Sequence, residues 1–312
     1  MSATEPRVLV LLASWQGRDW IPAQIASILA QRGVAVHLLV SDDQSSDGTA
    51  ALVQALGASD ERVRLLASES ASGSAGANFR RLFRAAGLDG FDFVALADQD
   101  DLWLPDKLAH AVRRLRDACA DGYSSAATAF WPDGRERLLA QQPHQRAADF
   151  LFEGAGQGCT FVVTADLFRA VQDFCRTHAA QADALHYHDW LIYLLARTLR
   201  RTWLFDAESR IRYRQHAANE IGARGGLGAI QHRLARIRDG WYRTQIVAAI
   251  DAHAAAGGDV DPAIGSLRRW FAPGSPRGLA RRVGLAAAVW RAGRRRASDR
   301  AVLVLAALAG WL

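Results

Sequence analysis

The sequence predicts an α/β protein with a mostly parallel central sheet, followed by a basic helical extension. Three observations carry this prediction. Short apolar runs alternate with stretches of helical periodicity over the first hundred residues, in the order strand, helix, strand, helix, strand. The polar and acidic clusters of this half follow the ends of such runs. From Gly225 onward the pattern becomes helical and arginine-rich.

Taken in order, Arg7 to Ala13 is a short apolar run that reads as a buried parallel strand. Ser14 to Asp19 is a polar loop. Trp20 to Gln31 places Ile21, Ile25, Ile28 and Leu29 on one helical face, and Gly33 ends that helix. Val34 to Val40 reads as the second strand, a helix runs through Leu56, and Val63 to Ala67 reads as the third strand. Ser70 to Gly76 is a Gly/Ser loop leading to Asn78 and Arg80. Phe91 to Ala97 is the next strand. It breaks into Asp98-Gln99-Asp100-Asp101, after which Trp103, Leu104 and Pro105 lead into a helix over Lys107–Ala120. Tyr123 to Trp131 reads as a strand, and residues 135–153 read as irregular and polar. Gly156 to Val163 is a Gly-rich turn into a strand, followed by a helix over Asp166–Cys175. An apolar helix over Leu191–Leu199 puts His188, Asp189 and Trp190 at its N-terminus, and Trp203 to Phe205 is a short strand.

Composition bounds the function classes. The 312 residues are 50% apolar and 22% charged, an ordinary globular balance. The chain has a single lysine, Lys107, among its 38 basic residues, which reads as coding bias. The three cysteines, Cys119, Cys159 and Cys175, have no CxxC spacing, which suggests a reducing compartment and no thiolate metal site. The start of the chain does not read as a signal peptide, and no run reaches the roughly 18 apolar residues of a spanning helix. The expected location is therefore cytoplasmic.

In a parallel sheet, ligands bind beyond the carboxyl ends of the strands. Ser14-Trp15, Asp42-Asp43 and Asp98–Asp101 all sit at such ends. Trp15 suits stacking on a nucleobase, and Asp42 or Asp43 suits accepting a hydrogen bond from a base N–H; helix capping is the simpler role for the aspartates. Three carboxylates within four residues repel one another. A hard divalent cation, Mg2+ or Mn2+, would offset them and also clamp phosphates; a solvated acidic turn or helix cap is the simpler alternative. There is no GxGxxG after the first strand and no GxxxxGK[ST], which argues against dinucleotide and P-loop enzymes.

Three stretches, ASWQGRDWIPAQIASILAQ, LLVSDDQSSDGT and FVALADQDDLWLPDKL, resemble the inverting nucleotide-sugar glycosyltransferases of family two, which have the GT-A (Rossmann-like) fold. The match covers about the first 110 residues, and DQDDLW is most similar to the rhamnosyltransferase branch. The family's usual T-Y-N-G opening is replaced here by Ser14-Trp15-Gln16-Gly17, which keeps an aromatic. The resemblance implies donor binding by Ser14, Trp15, Asp42, Asp43, Asn78, Arg80, Asp98, Gln99 and Arg214. It implies a metal held by Asp98, Asp100 and His216 of an R-Y-R-Q-H segment that continues to Gly222. It implies an acceptor side of Trp103, Gly158, Cys159, Thr160, His188 and Trp190. Asp189, at a helix N-terminus that favours the ionised carboxylate, is then the general base; without the resemblance, capping would be the preferred role.

In the last third, His232 to Ile250 reads as one long helix, Pro273 to Pro276 as a break, and Arg277 to Arg296 as a basic helix. Ala301 to Leu312 is apolar but too short to span a bilayer. Arginine beside apolar, tryptophan-bearing helices suits peripheral contact with an anionic membrane; packing on the catalytic domain or a dimer contact is the alternative. No nucleic-acid motif is present. The expectation is a catalytic domain over 1–224 and a helical region over 225–312. It would transfer a sugar, with dTDP-L-rhamnose the leading donor, to a saccharide or lipid-linked acceptor of surface polysaccharide at the inner face of the plasma membrane. The alternatives are a UDP-sugar donor, a nucleotidyltransferase, or a non-catalytic nucleotide-sugar-binding or membrane scaffold protein.

Overall fold

A computed structural model describes residues 5–216, 234–259, 261–272, 274 and 278–312. The end of the R-Y-R-Q-H segment, the 224/225 boundary, the start of the helix predicted from His232, and most of the break at 273–277 lie outside the described residues.

Four parallel strands form the first half of the sheet: β1 (Arg7–Ser14), β2 (Ala35–Asp42), β3 (Val63–Leu66) and β4 (Phe93–Asp98), in the order β3-β2-β1-β4. Helices α1 (Ile21–Leu29), α2 (Thr49–Ser59) and α3 (Ala75–Ala85) lie between them in sequence. Side chains alternate across a strand, so β1 sends Leu9 and Leu11 into one core layer and Val8, Val10 and Leu12 into the other. That two-sided burial is why the run has no polar alternation. β4 starts two residues later than predicted. Asp92 is spent at the strand edge, where its carboxylate accepts from the Arg7 N–H at 2.8 Å.

Beyond β4 the sheet becomes mixed. After β5 (Leu102–Trp103) and α4 (Lys107–Asp117) come β6 (Gly122–Phe130), β7 (Glu136–Leu139), β8 (Val162–Thr164) and β9 (Trp203–Arg214), continuing the order as β4-β8-β6-β9-β5. Two expectations are corrected here. The segment over 135–153 holds β7, paired with β6, and a short 3-10 turn at Asp149–Leu151. The strand predicted to stop at Phe205 runs on to Arg214, parallel to β6 with register shifts after Ser125.

Helices α5 (Ala165–Thr177), α6 (Ala179–Ala184) and α7 (His188–Thr198) cover one face. The predicted helix to Ile250 is interrupted at Gly240, whose φ of 78° breaks α-helical geometry, and α8 (Trp241–Ala255) starts after it. α9 (Pro262–Phe271), α10 (Leu279–Ala292) and α11 (Ala297–Ala309) follow. Ile246, Leu267, Leu285 and Leu303 join the same core layer as Phe79, Phe168 and Tyr193, so these helices pack on the sheet domain.

Candidate active site

The strand register assembles the site. Ser14 pairs with Asp42 across β1 and β2, and Ala13 pairs with Asp98 across β1 and β4. The polar ends of three neighbouring strands therefore meet at one edge.

Trp15 is held in the loop after β1 with its side chain 60% exposed. Gln99, just past the end of β4, fixes it: Oε1 accepts from the Trp15 N–H and Nε2 donates to the Trp15 carbonyl, both at 2.9 Å. Gly17 lies beneath this clamp: a Cβ there would lie 2.1 Å from Gln99 Oε1 and would push the Gln99 amide aside. Asp42 turns inward, accepting from Ser14 Oγ and from the N–H and Oγ of Ser45. Asp43 accepts from the N–H groups of Ser72 and Gly73 and lies 3.3 Å from Arg81 Nη1. Burial alone would raise its carboxyl. The hydrogen bonds from Ser72 and Gly73 and the Arg81 charge outweigh that and hold it below the usual range.

The acidic turn splits by depth. Asp98 and Gln99 are half-buried, whereas Asp101 is fully buried. β9 reaches this turn: Arg214 N–H donates to Asp101 Oδ1 at 3.1 Å, and Arg214 Nε donates to the Asp100 carbonyl at 2.8 Å. His216 Nε2 lies 2.7 Å from Asp100 Oδ2, and its ring stacks on Trp20. Oxygens of Asp98 and Asp101 and the Cys159 Sγ all lie within 4.8 Å of one another. Burial, then the charges of Asp101 and Asp98, push the Cys159 thiol well above its ordinary range, so it stays protonated. Burial, then the charges of Asp100 and Asp98, likewise raise the Asp101 carboxyl well above 3.8.

Asp189 lies at the first turn of α7. A Cβ on Gly158 would sit 3.1 Å from Asp189 Cβ, 3.5 Å from Asp189 Oδ2 and 2.9 Å from His188 Nε2. Gly158 and Cys159 belong to one 3-10 turn. Consecutive residues thus lie beside Asp189 on one side and beside the acidic turn on the other, although those two segments are about 90 residues apart in the chain.

Several of the expected ligand-facing residues have partners inside the protein. Asp42 and Gln99 are described above. Asn78 Nδ2 donates to the carbonyls of Ser14 and Ser41, tying two strand ends together. Arg80 is buried against Asp183 and the Leu185 carbonyl. Trp103 is buried under Lys107, Trp190 donates its indole N–H to the Phe150 carbonyl, and Thr160 donates to the Gln157 carbonyl. His188 packs its ring on Phe79 at 3.8 Å.

Sequence reasoning missed Lys107 and Trp20 as parts of the site. The Lys107 Nζ lies 3.7 Å over the Trp103 ring, and burial, opposed by Cys159 and Asp101, pushes its ammonium down to about 8. Its signal was its singularity: a chain that uses arginine everywhere else keeps one lysine behind its acidic turn. Trp20, under both His216 and Arg214, had no signal beyond its residue type.

Comparison with known proteins places this arrangement. Residues 10–169 match the family model described as glycosyl transferase family 2. The chain is 34% identical over 244 residues to the dTDP-rhamnosyl transferase RfbG of Shigella flexneri, covering 78% of this chain and 84% of that one. It is 41% identical over 101 residues to the UDP-Glc:alpha-D-GlcNAc-diphosphoundecaprenol beta-1,3-glucosyltransferase WfgD of Escherichia coli, covering 32% of this chain and 38% of that protein. Among solved structures, S. aureus TarS 1–349 in complex with UDP-GlcNAc superposes with a TM-score of 0.56 at 14% identity, over 91% of this chain and 72% of that one, a likeness of GT-A fold. With its strand-end site, its family match over half its length and a relative matched over most of it, the chain belongs to glycosyl transferase family 2.

Proposed function

We propose that this glycosyltransferase moves L-rhamnose from dTDP-L-rhamnose, with inversion, to a saccharide or lipid-linked acceptor in bacterial surface polysaccharide synthesis. The donor assignment is supported by the likeness to a dTDP-rhamnosyl transferase over 78% of the chain. The single observation that carries the mechanism is the Gly158–Cys159 turn, with Asp189 against one residue and Asp98 near the other.

In this reading Trp15 stacks on the base, and Asp43, with the Ser72–Gly73 loop it holds, meets the base edge. Arg214, anchored on the Asp100 carbonyl, faces the diphosphate. Asp189 takes the proton of the acceptor hydroxyl as that oxygen attacks the anomeric carbon from the side opposite the leaving group. Gly158 leaves room for the attack because it has no side chain to fill the space against Asp189. The set that comes together among the described residues is Asp98, Asp101 and Cys159, not the expected Asp98, Asp100 and His216; its carboxylate oxygens suit Mg2+ or Mn2+, its thiol stays protonated, and the Asp100–His216 pair lies at the same turn. Such an ion, when bound, supplies positive charge against the leaving nucleoside diphosphate. Residues 1–224 carry this chemistry, and residues 225–312 hold it, peripherally, at the cytoplasmic face of the plasma membrane.

The test is thermal stability against dTDP, UDP and GDP, with and without Mn2+ or Mg2+, joined to transfer assays on two variants. Binding to the folded state raises the melting temperature by mass action. The expected result is a metal-dependent shift largest with dTDP. Asp100→Ala abolishes its metal dependence. Asp189→Asn keeps the shift and lowers transfer by about 10²–10⁴-fold. A larger shift with UDP would replace the donor, and full transfer by Asp189→Asn would remove the mechanism.

A further inference from the structure

Seven of the twelve large apolar side chains that the described residues expose lie between Leu279 and Trp311. On α10 they are Leu279, Val283 and Trp290, spaced four and seven residues apart, so they form one stripe. On α11 they are Val302, Leu305 and Leu308, spaced by three. Both helices also bury an opposite apolar face, through Leu285 and Val289 on α10 and Leu303 and Ala306 on α11. A helix on a water-facing surface has one apolar stripe; these have two. No residue from 301 to 312 carries a charge.

The two helices form an antiparallel hairpin. Arg282 near the start of α10 donates to the Leu308 carbonyl near the end of α11, and the Arg300 guanidinium lies 5.3 Å over the Trp290 ring at the other end. The hairpin is fixed to the catalytic half. Arg295, between the helices, bonds Asp149 Oδ2 at 3.2 Å and the Gly154 carbonyl at 2.8 Å. Asp149 in turn accepts from Tyr193 of α7, one turn beyond Asp189. Whatever the outer face rests on is therefore held at a set orientation to the site.

Charge selects the occupant. Residues 277–312 contain eight arginines and one acidic residue, Asp299. Arg282, Arg291 and Arg296 are exposed. A second copy would bring an equally basic surface against this one in a two-fold contact. A bilayer with anionic headgroups attracts them and takes up the apolar stripes. At 14 and 13 residues the helices are too short to cross it, and no described helix is long and apolar enough to do so.

We propose that the outward face of the α10–α11 hairpin docks in the interface of a bilayer rich in anionic phospholipid. This names the surface for the membrane placement proposed above. The test is flotation of the full chain with vesicles of phosphatidylcholine alone or mixed with phosphatidylglycerol, at low and high salt, in the absence of nucleotide and sugar. Wild-type protein is expected to float with the anionic vesicles and to bind the neutral ones, or the anionic ones in high salt, about tenfold more weakly. The variant Trp290→Ser/Leu305→Ser/Leu308→Ser alters exposed side chains, so its melting temperature reports an intact fold, and its vesicle binding falls by about tenfold or more. Failure of the wild type to float with anionic vesicles at low salt overturns the proposal, as does equal binding by the folded variant. An oligomer that the variant dissociates, with no vesicle binding by either, assigns the face to a second copy instead. Because no donor is present, failure here leaves the nucleotide-dependent melting shift intact, and loss of that shift leaves this result intact.

Discussion

His188 shows how a single side chain in the candidate site is tuned by what encloses it. The residue is half-buried overall, but its ring is packed on Phe79 and Phe83, and Nε2 points at Gly158. Burial, with a smaller push from the Arg80 charge, lowers its imidazole from 6.5 to about 3. It is therefore neutral beside Asp189 at working pH and leaves that carboxylate as the local charge. The linkage follows directly. The unfolded chain takes up this proton below 6.5 and the folded chain only near 3, so the contribution to stability is whole above 6.5 and is lost as pH falls towards 3. By pH 5.5 the loss is about 1.4 kcal/mol. Urea unfolding at pH 8 and pH 5.5 checks this. His188→Phe, which keeps a ring on Phe79, should shrink the difference between the two pH values by about that amount. An unchanged difference would mean that the imidazole is open to water.

At the scale of elements, the site depends on how three ends meet: the Asp98–Asp101 turn after β4, the N-terminus of α7, and the far end of β9. The 3-10 turn over Gly158–Thr160 is the spacer between the first two. Gly158→Ala places a methyl group 2.9 Å from His188 Nε2 and 3.1 Å from Asp189 Cβ, closer than side chains pack. One of these groups must shift. The expected outcome is a fall in kcat of about tenfold to a hundredfold, with the nucleotide-dependent melting shift retained, since small misplacements of a reacting group are costly. Steady-state kinetics with donor and acceptor varied separately would show it. Loss of nucleotide binding instead would mean that the turn supports the donor pocket and not the base.

At the scale of the whole molecule, the C-terminal helices hold α7 as well as covering it. Asp149 is fully buried and accepts from Tyr193, Arg197 and Arg295. Arg294 and the Arg295 N–H both bond Glu153. Removing one cation from such a network leaves a buried carboxylate undercompensated. Arg197 remains in Arg295→Ala, so the expected destabilisation is about 2–3 kcal/mol, below the full cost of breaking a buried pair. Chemical denaturation measures it. A loss under about 0.5 kcal/mol would show that the hairpin is an appendage with no part in holding the catalytic helix.

The early part of the chain was legible because its physics is local. Two-sided burial requires continuous apolar runs, so β1 and β4 could be read with small errors at their ends, and the polar clusters at strand ends marked the edge that carries the candidate site. Asp189 at a helix start was legible for the same reason. What tertiary structure alone decided was which partners these polar atoms take inside the protein. Sequence gives Gln99, Asn78 and Arg80 the same chemistry as residues that face a ligand. Only the fold commits Gln99 to the Trp15 backbone, Asn78 to two strand ends and Arg80 to Asp183. The course of β9 was hidden too, because its charged residues hide a strand pattern that long-range pairing with β6 supplies. That pairing carries Arg214 and His216 to Asp100, more than a hundred residues earlier in the chain. Local periodicity sets which elements form, whereas the occupancy of each hydrogen bond depends on contacts between distant segments, and those exist only once the chain is folded.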